Sequence, residues 1–166
     1  DVEHARDALS KLKHLVVQDI FLTETANYAD VILPASAFAE KNGTVTNTNR
    51  QVQMGRKAVA PPGEAREDWW IEVQLAKRMG LAWSYESPAD VFAEMKLNMR
   101  SLDNITWERL EIENAVTYPS LAEDDPGQAI VFGTGFPRQN GRARFTPASI
   151  IAPDDVPDTD YPMILT

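Results

Sequence analysis

Two short apolar runs constrain the fold of this chain more than any other feature. Residues 15–22 and 29–34 are mostly apolar and rich in Val, Ile and Leu. Their length and composition predict buried β-strands, and Pro34 ends the second one. Because the connection at 23–28 has room for only a turn of helix, we expect both strands to belong to an α/β sheet.

Four segments carry the capping residues or the apolar spacing of helices. Ser87 is a typical N-cap, and Pro88 suits the first position of a helix. Asp68 and Gly80 give another segment an acidic start and a stop signal. The predicted helices span residues 1–13, 68–79 and 88–99, and a fourth opens at Thr106.

The order of these elements predicts an α/β fold in the form of a three-layer, partial doubly wound domain. Residues 129–132 and 142–145 look like two short strands that could pair, which would add a small β-rich part toward the C-terminus. Residues 161–166 begin a further strand. Residues 42–54 are rich in hydroxyls and amides. They form either a solvated loop after the Asn42-Gly43 turn signal or a wall that lines a polar ligand.

The composition argues against several classes of function. The chain has no cysteine and only two histidines, so it offers no thiolate or iron–sulfur ligand, and we expect no metal site within it. Its net charge of −9 argues against binding to nucleic acid, because neutralising phosphates needs clustered Lys and Arg. No apolar run reaches the roughly 20 residues of a membrane-spanning helix, and no signal peptide is visible. We therefore expect a cytoplasmic protein that does not insert into a membrane.

The most informative feature is a set of segments that is dense over residues 14–80, sparse over 81–140 and resumed at 141–166. The set comprises 16–26, 28–34, 38–44, 46–53 and 57–70, then Gly141-Arg142-Ala143-Arg144-Phe145-Thr146-Pro147 and Tyr161-Pro162-Met163-Ile164-Leu165-Thr166. In order and spacing it is similar to a segment of the molybdopterin oxidoreductase family (the dimethyl-sulfoxide-reductase superfamily). Within that family, Gln18-Asp19-Ile20-Phe21 and the 141–147 segment resemble formate dehydrogenase large subunits.

The resemblance implies a bis(molybdopterin guanine dinucleotide) cofactor with Mo or W, and oxidation of formate to carbon dioxide. It places the metal ligand, the catalytic residues and an iron–sulfur cluster in other parts of a longer subunit, so this chain alone is expected to be inactive. The implied partners are the rest of the same large subunit and electron-transfer subunits. Residues 1–152 would form part of the guanine-dinucleotide-binding α/β domain. Residues 153–166 would form a linker and the first strand toward a C-terminal cofactor-binding domain.

Four positions match the family's dinucleotide contacts, namely Gln18, Asp19, Lys41 and Asp68. Their chemistry suits the ligand, because a carboxylate can accept both the N1–H and the amino group of guanine, and a phosphate needs a cation. Each also has an ordinary structural explanation. Asp19 could cap the next turn, Lys41 could be solvated, and Asp68 could be the N-cap of its helix.

The chain departs from the family at Asn49-Arg50-Gln51, where Glu-Arg-Arg is frequent. The exchange removes an acid and a base together, and with them a local ion pair. Two alternatives remain open. The longer protein could be a nitrate reductase or the non-catalytic relative in respiratory complex I. The upstream metal-ligand residue and the neighbouring His would distinguish these from a formate dehydrogenase. The longer protein could also be a structural or interaction module that retains the fold, which metal and pterin analysis of the full-length protein would decide.

Overall fold

The structure is a computed structural model that describes residues 2–151, 153 and 156–163. The chain divides into two compact units, Asp1–Val131 and Phe132–Thr166. This division lies earlier than the predicted boundary between residues 152 and 153. That boundary concerns a longer subunit and stays a prediction. In the described part of the chain, no helix is both long enough and apolar enough to cross a membrane.

The first unit combines α-helices with two small sheets, which confirms the α/β class. Three short 3-10 helices connect them, at Thr25–Tyr28, Phe38–Glu40 and Arg100–Leu102. The helices are α1 (Val2–Ser10), α2 (Asp68–Arg78), α3 (Pro88–Asn98) and α4 (Trp107–Glu113). The strands are β1 (Val16–Asp19), β2 (Val31–Pro34), β3 (Gly43–Thr46), β4 (Gln51–Gly55) and β5 (Ala115–Thr117).

All four predicted helices are confirmed, and the capping residues explain where two of them begin. The Ser87 hydroxyl accepts a hydrogen bond from the backbone N–H of Asp90, and Pro88 follows as the first residue of α3. The Thr106 hydroxyl accepts from the backbone N–H of Arg109 at 3.1 Å and so starts α4. These side chains satisfy donors that the first helical turn leaves without a backbone partner.

Strands β1 and β2 form a parallel pair, in which Val16 lies opposite Val31 and Asp19 lies opposite Pro34. This is the predicted sheet, present as one pair. The predicted burial is wrong, because Val16 and Val31 are 46% and 41% exposed. A parallel sheet is buried when helices cover both of its faces, and α1 buries none of its residues.

Most of residues 42–54 form an antiparallel hairpin, so the predicted solvated loop is wrong, whereas the predicted wall for a polar ligand stays a prediction. Strand β4 pairs with β3 on one side and with β5 on the other. The turn lies at 47–50 rather than at the Asn42-Gly43 signal. This sheet packs on a cluster of buried apolar residues, which are Val52, Phe92, Leu102, Ile105, Leu110 and Val116.

The strands predicted at 129–132 and 142–145 are not formed, so the described residues contain no β-rich C-terminal part. Phe145 is 98% exposed, and a strand that buries no side chain gains too little to offset the entropy of ordering its backbone. Instead, the second unit holds turns and a stacked pair of rings, Phe132 and Phe136, with centroids 5.0 Å apart. Of the strand predicted at 161–166, residues 161–163 are not in a strand, and 164–166 lie outside the described residues.

Candidate functional site

Asp68 is the first residue of α2, and its side chain does not cap that helix. The N-cap is Glu67, whose side chain makes no capping hydrogen bond and instead accepts from Trp69 Nε1 at 2.6 Å. The prediction that Asp68 could be the N-cap is therefore wrong by one residue. An acidic group in the first turn still interacts favourably with the helix dipole. The carboxylate remains available to groups outside the helix.

Two side chains from distant parts of the sequence reach this carboxylate. Gln18, in β1, donates from Nε2 to Oδ1 of Asp68 at 2.8 Å. Lys41, which lies between β2 and β3, donates from Nζ to Oδ2. We call Gln18, Lys41 and Asp68 the Asp68 cluster. The Lys41 and Asp68 side chains are 31% and 38% exposed, so the ion pair is half-buried and open to further contacts.

The two donors hold Asp68 in its ionised form. Partial burial acts to raise the pKa of the Asp68 carboxyl, because it disfavours the charged state. The hydrogen bonds from Lys41 and Gln18, together with the Lys41 charge, act in the opposite direction and outweigh burial. The pKa of Asp68 is therefore held below its ordinary value of 3.8, and the cluster presents a carboxylate at neutral pH.

Asp19 is not part of the Asp68 cluster. Its Oδ1 accepts a hydrogen bond from the backbone N–H of Phe21 at 3.1 Å, and its carbonyl accepts from Ala35 at 3.0 Å. Neighbouring residues of a strand point to opposite faces of the sheet, so Gln18 and Asp19 are directed apart. The carboxylate of Asp19 therefore holds the turn that follows β1, in agreement with the prediction that Asp19 could cap this turn.

A cleft of about 240 Å³ adjoins the Asp68 cluster. Lys41 and Asp68 supply charged groups to its wall, and Trp69 supplies an aromatic ring. The rest of the wall comes from the start of β3 and from α3 and α4, through Asn42, Gly43, Thr44, Pro88, Val91, Phe92, Met95 and Trp107. A site with two charged groups beside an apolar wall suits a ligand that has both a polar edge and a flat apolar surface.

The groups of the Asp68 cluster keep unused hydrogen-bonding capacity. Each carboxylate oxygen of Asp68 accepts one hydrogen bond from the cluster, although an oxygen of this kind can accept about two. The Lys41 ammonium has three N–H groups and uses one in the cluster, and the Gln18 amide keeps its carbonyl oxygen. The unused acceptor sites of Asp68 therefore fit a purine edge that presents N–H groups, and the unused N–H groups of Lys41 fit a nearby phosphate.

Sequence reasoning missed the role of Arg50, which anchors the β3–β4 turn. Arg50 has a left-handed backbone with φ of 66°, and its guanidinium donates to the carbonyls of Tyr118, Gln128 and Ala129. The amide of Asn47 holds both the backbone N–H and the side chain of Gln51, so amides close the turn. Since the acceptors of Arg50 are main-chain carbonyls far along the sequence, no motif could have indicated this contact.

The described residues contain no group of three or more His, Asp or Glu side chains arranged to hold a metal ion. The Asp68 cluster and the arginines that bind main-chain carbonyls supply polar side chains in the first unit. Such groups can orient a ligand and neutralise its charge.

Comparison with known proteins relates this chain to a family of enzymes. The model of the molybdopterin oxidoreductase family matches residues 1–78, a range that contains Gln18, Lys41 and Asp68. The alpha subunit of an F420-dependent formate dehydrogenase from Methanocaldococcus jannaschii is 46% identical over 168 aligned positions, covering 100% of this chain and 25% of that protein. A second such subunit, from Methanococcus maripaludis, is 44% identical with the same coverage.

Similarity extends to bacterial proteins and to a solved structure. A putative formate dehydrogenase from Staphylococcus haemolyticus is 42% identical over 147 residues, covering 89% of this chain and 15% of that protein. The acetylene hydratase of Pelobacter acetylenicus is 25% identical, with a TM-score of 0.55, covering 72% of this chain and 16% of that one. The chain thus spans about a quarter of the length of the first relatives that it matches. Its residues 1–78 belong to the molybdopterin oxidoreductase family.

Proposed function

We propose that this chain is part of a formate dehydrogenase large subunit and that the Asp68 cluster holds one guanine dinucleotide of a bis(molybdopterin guanine dinucleotide) cofactor. The observation that carries the proposal is the convergence of Gln18, Lys41 and Asp68 from three elements onto one half-buried carboxylate. The names of the relatives, which include formate dehydrogenase alpha subunits, support the activity.

Each residue of the cluster has a distinct role in this proposal. Asp68 accepts hydrogen bonds from the N1–H and the amino group of guanine, because one carboxylate can take both donors. Lys41 offsets phosphate charge and, through its bond to Asp68, keeps that acceptor ionised. Gln18 fixes the orientation of the carboxylate. The cofactor, with Mo or W, supplies the two-electron chemistry that converts formate to carbon dioxide and a proton.

The remaining parts of the proposal concern the longer protein. Asp19 would contact the cofactor through its Oδ2, since Oδ1 holds the turn after β1. Residues 153–166 would lead toward a C-terminal cofactor-binding domain. The large subunit would carry an iron–sulfur cluster elsewhere and pass electrons to partner subunits. It would work in the cytoplasm, and cell fractionation tests this location.

One comparison favours a second candidate for the reaction itself. The same part of the chain that matches formate dehydrogenases is also similar to an acetylene hydratase. Under this alternative, the region would support a cofactor in proteins of more than one named activity. Under this alternative the Asp68 cluster keeps its role, and residues around the metal in other parts of the subunit determine the substrate.

The test of the Asp68 cluster uses Lys41→Ala and Asp68→Ala in the full-length subunit, with cofactor occupancy measured by metal and pterin analysis. Each change removes a charge-assisted contact, so we expect a loss of about 1.5–3 kcal/mol in cofactor binding, roughly tenfold or more in affinity. Turnover per bound metal should stay near that of the parent protein, because these residues do not touch the reacting atoms.

Matched controls are Lys57→Ala and Asp103→Ala, which remove exposed charges from side chains that take no part in the cluster. Both controls should keep full occupancy and full turnover. Full occupancy with lost turnover in the Asp68 variant would mean that the cluster acts in the reaction and not in holding the cofactor. Full occupancy with normal turnover would mean that the cluster does not contact the cofactor. Activity toward formate or acetylene, measured on the same loaded protein, separates the two candidate reactions.

A further inference from the structure

The second unit contains three arginines around one concave surface. Arg138, Arg142 and Arg144 line a cavity of about 450 Å³, together with Gln139, Asn140 and Ala143. None of the three guanidinium groups makes a hydrogen bond or an ion pair within the described residues. We call this segment, residues 138–144, the arginine loop. The arginine loop and the Asp68 cluster have no residue in common.

The charge of this region contrasts with the rest of the chain. Residues 126–153 contain no Asp or Glu, and the three arginines are their only charged side chains, whereas the whole chain has a net charge of −9. Three like charges repel one another, so holding them around one cavity costs free energy unless an anion or water separates them. Positive charges also reduce the magnitude of the net negative charge that favours solubility, so solubility does not account for the three arginines.

The backbone of the arginine loop is organised by short-range hydrogen bonds. The N–H of Phe136 donates to the carbonyl of Gly141 at 3.0 Å, and the N–H of Gly141 donates to the carbonyl of Arg138 at 2.9 Å. The backbone N–H of Arg142 donates to the side chain of Asn140 at 3.1 Å. Gly141 has a φ of 65°, which glycine adopts without strain. These bonds bring the arginine at the start of the loop toward the two at its end.

We propose that the arginine loop binds a phosphate-bearing small molecule. A guanidinium presents a planar fork of N–H donors that matches two oxygens of one phosphate, and three such groups can surround a multiply charged anion. The side-chain amides of Gln139 and Asn140 add N–H donors for the same oxygens. The cavity lies within the range of about 300–1,000 Å³ that small-molecule sites occupy, so the phosphate is carried on a larger molecule.

The test measures binding of inorganic pyrophosphate to the 166-residue chain by calorimetry and by phosphorus NMR, at low and at physiological ionic strength. We expect saturable binding that is tighter than that of inorganic phosphate. The variant Arg138→Gln/Arg142→Gln/Arg144→Gln should bind pyrophosphate about tenfold more weakly or worse, because each lost guanidinium removes a charge-assisted contact. Absence of saturable binding to the parent chain would overturn the proposal.

A matched control separates a built site from the effect of net charge. Lys13→Gln/Lys57→Gln/Arg100→Gln removes the same three positive charges from exposed positions in the first unit. It should keep pyrophosphate affinity within about twofold of the parent, since exposed charges that do not line the cavity are screened by salt. An equal loss in the control would overturn the site. So would binding of a Glu-rich peptide, but not of pyrophosphate, that depends on the arginine loop, because it would identify an acidic protein as the partner.

A last arm identifies the source of the phosphate. Pyrophosphate binding is measured on the full-length subunit with and without its cofactor. If loading the cofactor abolishes pyrophosphate binding, the arginine loop holds a phosphate of the cofactor. If binding is unchanged, the loop takes a freely exchanging phosphorylated molecule. Circular dichroism of the triple arginine variant, unchanged from the parent, shows that the loss of binding is not a loss of folding.

Discussion

The two sheets of the first unit differ in what covers them. Strands β3, β4 and β5 pack on a cluster of large apolar side chains, of which Ile105 and Leu110 are fully buried. The parallel pair β1–β2 leaves Val16 and Val31 exposed, and the buried apolar residues outside the cluster are small or lie in α2. Burial of large side chains stabilises far more than burial of alanine. The antiparallel sheet is therefore stabilised by the apolar cluster on which it packs. The parallel pair depends on contacts other than the burial of large apolar side chains.

Polar bonds supply part of what the parallel pair lacks in apolar burial. Gln18, in β1, is joined to Asp68 at the start of α2. The backbone of Ala35, just after β2, bridges to Arg66, just before α2. A sheet held by exposed or half-buried hydrogen bonds opens more easily than one held by a core. Under the proposed function, this property would suit a region that fits around a dinucleotide.

The largest expected effect comes from the core of the antiparallel sheet. Leu110→Ala should lower the free energy of unfolding by about 2–5 kcal/mol, because it leaves a cavity among buried residues. Val16→Ala should cost less than about 1 kcal/mol, because that side chain is already half exposed. Urea denaturation followed by circular dichroism measures both. Equal losses of unfolding free energy in the two variants would show that both sheets share one core, which would contradict the difference between them.

The next effect concerns Arg109, which ties α4 to the loop that follows β5. Its guanidinium donates to the carbonyls of Asn104 and Asp125 at 2.9 and 2.7 Å, and its side chain is only 10% exposed. Arg109→Ala removes the donor to Asn104 and one of the two donors to Asp125, so we expect a loss of about 2–4 kcal/mol in unfolding free energy.

The matched control for Arg109 is Arg6→Ala, which breaks an exposed ion pair with Glu24 and should change stability by about 0–1 kcal/mol. Arg109→Lys is informative as well, because one ammonium cannot reach acceptors that lie in several directions. A lysine variant as stable as the parent would mean that charge alone, and not the fork of donors, holds the loop.

The comparison of the two sheets also explains what the sequence could predict. Helices α3 and α4 follow from the sequence because Ser87 and Thr106 act locally, on backbone groups three residues away. The β3–β4–β5 sheet does not, because its strands carry mostly Thr, Gln and single valines, and Val52 and Val116 reach the cluster from distant segments. The contacts of Arg109 are equally hidden, since its acceptors are mainly backbone carbonyls that come together only on folding.

The candidate site shows the same limit. Resemblance to a family, and not spacing, selected Gln18, Lys41 and Asp68, and the structure brings these three together. The alternation of side chains along a strand is enough to separate Gln18 from Asp19, because adjacent residues point to opposite faces. No sequence rule could show that Lys41 and Gln18 bind opposite oxygens of one carboxylate.

The smallest expected effect is a pH dependence in the bond between the parallel pair and α2. The folded-state pKa of Asp68 is lowered, so the ionised cluster stabilises the fold above the ordinary value of 3.8 and loses this contribution as pH falls through the lowered pKa. The Asp68 side chain is more than a third exposed, and solvent screening makes the contribution small. Carboxyl carbon NMR should place the Asp68 midpoint below 3.8 in the parent chain. Lys41→Gln should raise it, because the variant loses the ammonium charge and its hydrogen bond while partial burial remains. A midpoint that does not move in Lys41→Gln would mean that Lys41 is solvated and that the parallel pair is held to α2 without it.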